Sequence, residues 1–299
     1  MLQKIVYTIF GIGLAFIFLP KPIKDSVKQP SVAGVNTVQT EEALKPAPEM
    51  AVNLSAPILT AKAALAFDLD SGTILYSKNL DENLPIASLT KLMTALVVVK
   101  QKNLDDIVTV PWQAQGVPGS TIGLIRGERI RVRDLLSAML IPSSNDAALA
   151  LAYSITTDEG KFAELMNNEA KRLGLHSTNF SNPVGWDLGE NYSNTLDLIK
   201  IVREFLKHPV LSEMVSVKET AIMSEDRKWV HQLRSTNRLL MEDPNVIGIK
   251  TGFTSKALGN LIILTKNQSN RIVTIVLGSD AREEDSQKLL DWAVRAYRW

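Results

Sequence analysis

The 299-residue chain has no cysteine, only three histidines and a formal net charge of +1. Without cysteine there can be no disulfide, no thiolate metal site and no lipid attached at cysteine. A charge so near zero gives no electrostatic case for nucleic acid. His176, His208 and His231 stand far apart, and none belongs to an H-E-x-x-H string, so nothing supports a zinc peptidase. No metal or other cofactor is expected. A G-x-S-x-G nucleophile elbow is missing as well. What the chain does have is a hydrophobic content of 45%, enough for a full core, and a length that allows one large domain or two ordinary ones.

Long apolar runs are scarce outside the part that reads as globular. One follows Lys4, from Ile5 to Pro20. It is slightly short of the ~17–25 residues of a full span and about right for a signal-peptide core. Leu19-Pro20-Lys21 is no small-x-small cleavage site, and Ser31-Val32-Ala33 lies far downstream. Residues 1–20 are therefore expected to be an uncleaved membrane anchor, with a removed signal peptide as the alternative. Lys21, Lys24 and Lys28 follow the run while Lys4 precedes it, an asymmetry that by itself opposes export. Residues 21–56 are punctuated by proline and show no periodicity, as in a flexible linker. The globular domain is expected at 57–299.

Ala61 to Asp70 alternates, with Ala63, Leu65, Phe67 and Leu69 on one side and Lys62, Asp68 and Asp70 on the other. Asp70-Ser71-Gly72 predicts a turn and Thr73–Ser77 a returning strand. A helix beginning near Ser88 carries apolar residues around most of its circumference and should be buried. Helical patterns dominate from about 105 to 240. Strands return at Val246–Thr251, Leu261–Thr265 and Ile272–Leu277. A closing helix starts near Ala281, with Asp280 and Glu283 at capping-box spacing. Strands first and last with helices between predict an α+β fold, one antiparallel sheet and a mostly helical second lobe, with a cleft between.

Three strings stand in order: Ser88-Leu89-Thr90-Lys91, Ser143-Ser144-Asn145 and Lys250-Thr251-Gly252. Ser88 and Lys91 are one helical turn apart, so their side chains share a face. A serine needs a base within ~2.6–3.2 Å, and a lysine serves only if burial or a second cation lowers its pKa. Leu89 and Leu92 supply apolar surroundings, and Lys250 could supply the cation. An N-cap serine with a surface lysine is the bland alternative, but an unpaired lysine on so buried a helix is costly. In the functional reading Ser143 relays a proton between Lys91 and the leaving group, and Asn145 holds Lys91 and a substrate amide. A plain helix cap would also explain this segment. Lys250 and Gly252 share one face of a strand and Thr251 the other. Lys250, with the Thr251 hydroxyl nearby, could bind a carboxylate, and Gly252 lets a substrate backbone approach. The backbone N–H groups of Ser88 and Phe253 would then form an oxyanion hole.

The chain resembles the serine-type D-alanyl-D-alanine carboxypeptidases, the low-molecular-mass penicillin-binding proteins. The likeness runs from about Ala61 to Trp292. It includes Ala87-Ser88-Leu89-Thr90-Lys91-Leu92-Met93, Ile141-Pro142-Ser143-Ser144-Asn145-Asp146, Asn182-Pro183-Val184-Gly185 and Gly248-Ile249-Lys250-Thr251-Gly252-Phe253. It implies a β-lactamase/transpeptidase-like fold, a Ser/Lys acyl-enzyme, peptidoglycan stem peptides as substrate and β-lactams as covalent inhibitors. It also implies export to the outer face of the cytoplasmic membrane or the periplasm. Ser144 stands where the family usually has glycine, and Ser255–Gly259 departs from its usual wording. The β-rich second domain and C-terminal amphipathic anchor of many members are not found here, so membrane attachment is expected at the N-terminus. A DD-endopeptidase with the same residues is the main alternative. A β-lactamase lacks support because no E-x-x-L-N string is present. A non-catalytic penicillin-binding sensor would not need all three motifs intact.

Overall fold

The alternating segment after residue 60 forms an inner strand of a sheet, and the rest of the chain is arranged about that sheet. The computed structural model describes residues 45–299; the expected anchor and most of the linker lie outside the described residues. The chain enters through a two-residue strand, β1 (Glu49–Met50), followed by β2 (Ala63–Asp68) and β3 (Ile74–Lys78). Gly72 makes the turn between the latter two at φ +78°, where a side chain would be strained. A short β4 (Leu84–Pro85) leads into a 3-10 turn, Ala87–Leu89, and helix α1 (Thr90–Gln101).

The middle of the chain holds β5 (Ile107–Thr109), β6 (Arg129–Arg131), α2 (Val132–Leu140), α3 (Asn145–Tyr153) and α4 (Glu159–Arg172). Next come β7 (Tyr192–Ser193), α5 (Thr195–Leu206), α6 (Pro209–Ser216), a hairpin of β8 (Glu219–Met223) and β9 (Val230–Arg234), and α7 (Arg238–Glu242). The chain closes with β10 (Val246–Thr254), β11 (Leu258–Asn267), β12 (Asn270–Ser279), α8 (Arg282–Ala296) and β13 (Tyr297–Arg298).

The main sheet has the order β10-β11-β12-β2-β3, and every neighbouring pair is antiparallel. The early and late strands thus join, as the α+β reading expects, with Leu65 opposite Ile275 and Phe67 opposite Val273. One face packs on the helical lobe. There α1 is the central element, buried continuously from Thr90 to Val98. The other face carries α8, whose Leu289, Leu290 and Ala293 pack on Ala64 and Ala66.

Three local expectations change. The second face of β2 is not solvated, because Ala64 and Ala66 are small enough to seat α8, and all six residues of the strand are buried. Pro209 opens α6 at a position where its missing N–H costs nothing. The Asp280–Glu283 capping box does not form. Ala281 is the cap residue, which moves the spacing out of register by one, and no side chain caps it. Asp285 instead accepts from Thr60 N, Ala61 N and the hydroxyls of Thr60 and Ser279.

The third change concerns residues 49–60. β1 pairs with β13, Ala51 and Val52 donate to Ala296 O, and Trp292 Nε1 donates to Leu54 O. Residues 49–60 therefore form a strap along α8, and the packed domain begins ahead of residue 57. Among the described residues no helix is long and apolar enough to cross a membrane.

Candidate active site

Ser88 lies in the 3-10 turn that precedes α1, and the turn is held from three directions. Ala87 takes φ +46°, an uncommon conformation for a residue with a side chain. Gly185 packs against it so closely that a Cβ there would stand 1.9 Å from Ala87 O. Gly252, on β10, would place a Cβ 3.0 Å from Ile86 O and 3.2 Å from the Ser88 N. From β11, Asn260 Nδ2 donates to Pro85 O at 3.0 Å while its Oδ1 accepts from Gly278 N at 2.8 Å. The glycine of K-T-G, expected to admit a substrate backbone, thus admits the Ser88 turn itself.

Lys91 is fully buried. Its Nζ lies 2.9 Å from Ser88 Oγ, 2.7 Å from Asn145 Oδ1 and 3.0 Å from Val184 O. Burial drives its pKa well below the usual lysine value. The Lys250 charge pushes the same way, against a smaller opposing pull from Asp146. Two of its three neighbours, an amide oxygen and a backbone carbonyl, have no proton to give. A neutral Lys91 therefore spends both N–H bonds on Asn145 and Val184, and its lone pair is left facing the Ser88 hydroxyl. The N-cap-and-surface-lysine alternative does not describe this geometry.

The middle motif opens α3. Asn145 receives Lys91 on its Oδ1 and donates Nδ2 to Pro118 O at 2.7 Å, so one of its two N–H bonds is already used. Gly119 sits against it, where a Cβ would be 2.7 Å from Nδ2. Ser143 is nearly buried at φ +65°, and no hydrogen bond joins its hydroxyl to Lys91 or Ser88 among the described residues. Ser144 adopts an ordinary φ of −66° and bonds Asp146 through its hydroxyl, so serine fits this turn without backbone strain. Asp146 also accepts from Ile122 N at 3.2 Å and from Gly123 N and Leu124 N at 3.0 Å, which fixes the loop carrying Pro118.

Lys250 is buried on β10 and donates to Thr251 O at 3.1 Å. Burial lowers its pKa to about 7, with the nearby Arg282 charge acting in the same direction. Thr251 projects to the other face of the strand, where its hydroxyl meets that of Thr236 at 2.6 Å. Arg282, in the first turn of α8, donates Nη1 to Gly252 O at 2.9 Å. Phe253 is exposed at the cleft edge. Ser88, Lys91, Asn145, Lys250 and Gly252 are thus brought together, with Ser143 beside α3 and Thr251 across the strand.

The sequence reading missed Val184, Asp146, Thr236 and Arg282. Asp146 stands directly after S-S-N, yet none of the three motifs includes it. Val184 contributes a carbonyl, which no residue type announces. Arg282 lies 30 residues from its partner in sequence, and nothing local marks it.

A family model described as D-alanyl-D-alanine carboxypeptidase, peptidase S11, matches residues 50–281. The chain belongs to this family. It is 35% identical over 246 residues to the D-alanyl-D-alanine carboxypeptidase DacF of Bacillus subtilis, covering 79% of this chain and 63% of that protein. The chain thus spans a little under two thirds of that relative's length. A D-alanyl-D-alanine endopeptidase of Pseudomonas aeruginosa is 31% identical over 263 residues, covering 86% of this chain and 84% of that protein. The crystal structure of the Streptomyces K15 DD-transpeptidase superposes with a TM-score of 0.76 at 31% identity, covering 81% of this chain and all of the other. The fold is therefore transpeptidase-like, with the five-stranded sheet and helical lobe of that family.

Proposed function

We propose that the protein is a serine DD-peptidase that removes the terminal D-alanine from peptidoglycan stem pentapeptides. The observation that carries this reading is the buried, charge-averse Lys91 poised 2.9 Å from Ser88. Lys91 takes the Ser88 proton as Oγ attacks the penultimate D-alanine carbonyl. The N–H groups of Ser88 and Phe253 stabilise the oxyanion, each donor worth ~2.7–4 kcal/mol. Lys250, with Thr251 and Arg282 close by, holds the terminal carboxylate. Ser143 passes the proton to the departing D-alanine amine, which leaves as the C–N bond breaks. Water, deprotonated by Lys91, then releases the shortened peptide and restores Ser88. β-Lactams would acylate the same serine. Residues 1–20 would attach the enzyme to the outer face of the cytoplasmic membrane through the linker that follows them.

The second reading is an endopeptidase, the name carried by the Pseudomonas aeruginosa relative. Purified protein incubated with a pentapeptide ending in D-Ala-D-Ala should release free D-alanine, and a β-lactam should leave one adduct, on Ser88. Cleavage of cross-linked dimers without D-alanine release would favour the endopeptidase. An adduct on Ser143, or none, would sink both readings.

A further inference from the structure

Of the three histidines only His231, on β9, is buried, and the chemistry at Ser88 makes no use of it. Its Nε2 lies 2.7 Å from Oε1 of Glu128, whose side chain is 0% exposed, and its Nδ1 lies 3.1 Å from Ile122 O. A carbonyl oxygen only accepts, so Nδ1 carries a proton and donates to Ile122. The second Glu128 oxygen accepts from Ile125 N at 3.1 Å. Taking an imidazole and a carboxyl group out of water is costly unless both are answered in place. Here both are, and two of the groups that answer them, Ile122 O and Ile125 N, belong to one loop, residues 115–128.

That loop is gripped from two sides. From the S-S-N side, Asn145 N donates to Ser120 O and Asn145 Nδ2 to Pro118 O, both at 2.7 Å, and Ser120 Oγ donates to Pro142 O at 2.8 Å. Asp146 accepts from Ile122 N, Gly123 N and Leu124 N. From the β8–β9 hairpin, His231 holds the carbonyl of the same Ile122 whose N–H Asp146 holds. Gly119 lies so close to Asn145 that a Cβ there would stand 2.7 Å from Nδ2, so a displaced loop displaces the Asn145 amide. Asn145 Oδ1 in turn takes Lys91 Nζ at 2.7 Å. We infer that His231 and Glu128 are positioning residues for Ser88 acylation: they hold the 115–128 loop against Asn145 and so keep Asn145 on Lys91. Neither touches the reacting atoms, and the inference rests on the Ser88–Lys91 reaction proposed above.

The test follows acylation of Ser88 by a saturating β-lactam across pH, in the full chain. His231→Leu combined with Glu128→Leu replaces both buried partners by apolar groups, which spares the fold while letting go of Ile122 O and Ile125 N. A released loop lets water reach Lys91 and weakens the burial that depresses its pKa. The double variant should therefore acylate about tenfold more slowly, with the rising limb of its pH profile moved to higher pH. His231→Gln, a milder change that supplies one amide for two acceptors, should move the limb the same way by less. Glu128→Gln can give an N–H to His231 Nε2 and its oxygen to Ile125 N, so it should stay within about twofold of wild type. Losses that only follow the folded fraction, read by circular dichroism, with the limb in place would overturn the inference. So would wild-type kinetics in the folded variants, or a Glu128→Gln protein as slow as the double variant. A wild-type protein that gains no adduct on Ser88 would sink the reaction itself, and the positioning role with it.

Discussion

The two faces of the sheet both bury ionisable side chains and treat them in opposite ways. On the α8 face, burial raises the Asp285 pKa, but the hydroxyls of Ser279 and Thr60 and the backbone N–H groups of Thr60 and Ala61 outweigh it and hold the carboxyl below its usual value. The charge is kept because its acceptor capacity is filled. On the α1 face, Lys91 has three neighbours but no carboxylate in contact, and Lys250 has one carbonyl. Their charges are disfavoured. A buried charge fully answered by donors fastens parts together, here the strap to α8. A buried amine denied its charge is a base waiting for a proton.

The comparison breaks most clearly if Lys91 and Asp285 are exchanged in importance. Lys91→Ala should slow Ser88 acylation by about 10²–10⁴-fold, measured by intact-mass kinetics with a β-lactam, with little change in Tm. Asp285→Ala should do the reverse, leaving its donors unanswered at a cost of ~1–3 kcal/mol in denaturant unfolding while the folded fraction still acylates. A catalytic loss at Asp285 without unfolding would undo the contrast.

Lys250 sharpens it through pH. Its pKa is about 7 in the folded protein and near 10.5 when unfolded, so the unfolded chain holds the extra proton between these values. Stability should therefore rise from pH 7 towards pH 10 on account of this group. Lys250→Met should stabilise by ~1–4 kcal/mol at pH 6, with the gain fading as pH approaches 10, while KM for D-Ala-D-Ala peptides increases sharply. Asp285 gives a slope of the same sign in a lower pH window. Its contribution is present above the ordinary carboxylate range and disappears as acidification passes its lower folded pKa.

A smaller effect is expected at Arg282. Its charge helps depress Lys250, so Arg282→Gln should raise that pKa and shift the alkaline limb of kcat/KM upward, a change read from pH profiles of D-alanine release. The smallest belongs to Ser144. Ser144→Gly removes the hydroxyl on Asp146 and adds unfolded-state freedom, for a loss of about 1 kcal/mol with acylation nearly unaltered.

Much of this was legible before the structure. Ser88 and Lys91 are three residues apart on a helix whose apolar residues surround it, so both their contact and their burial could be read locally. Lys250 and Gly252 sharing a strand face follows from alternation alone. The helical lobe and the joined sheet followed from the order of patterns. What escaped depends on distant partners. Alternation in β2 shows which residues face apart, but not that Ala64 and Ala66 would seat a helix from the far end of the chain. Met50 and Tyr297 pair across 247 positions with two-residue strands too short to signal themselves. Val184 serves through its carbonyl, and Asp146 through loop N–H groups that no motif includes.

The central claim is that Lys91 is a neutral base for Ser88 in the resting protein, and the most direct measurement is its protonation state. Lysine labelled at Nζ and Cε, with the Lys91 signal assigned by its loss in Lys91→Ala, can be titrated by NMR. The account predicts that the Lys91 signal changes from ammonium to neutral amine well below the pH at which the other lysines titrate, in step with rising acylation of Ser88. A Lys91 that titrates together with the other lysines while Ser88 acylates at full rate would contradict it.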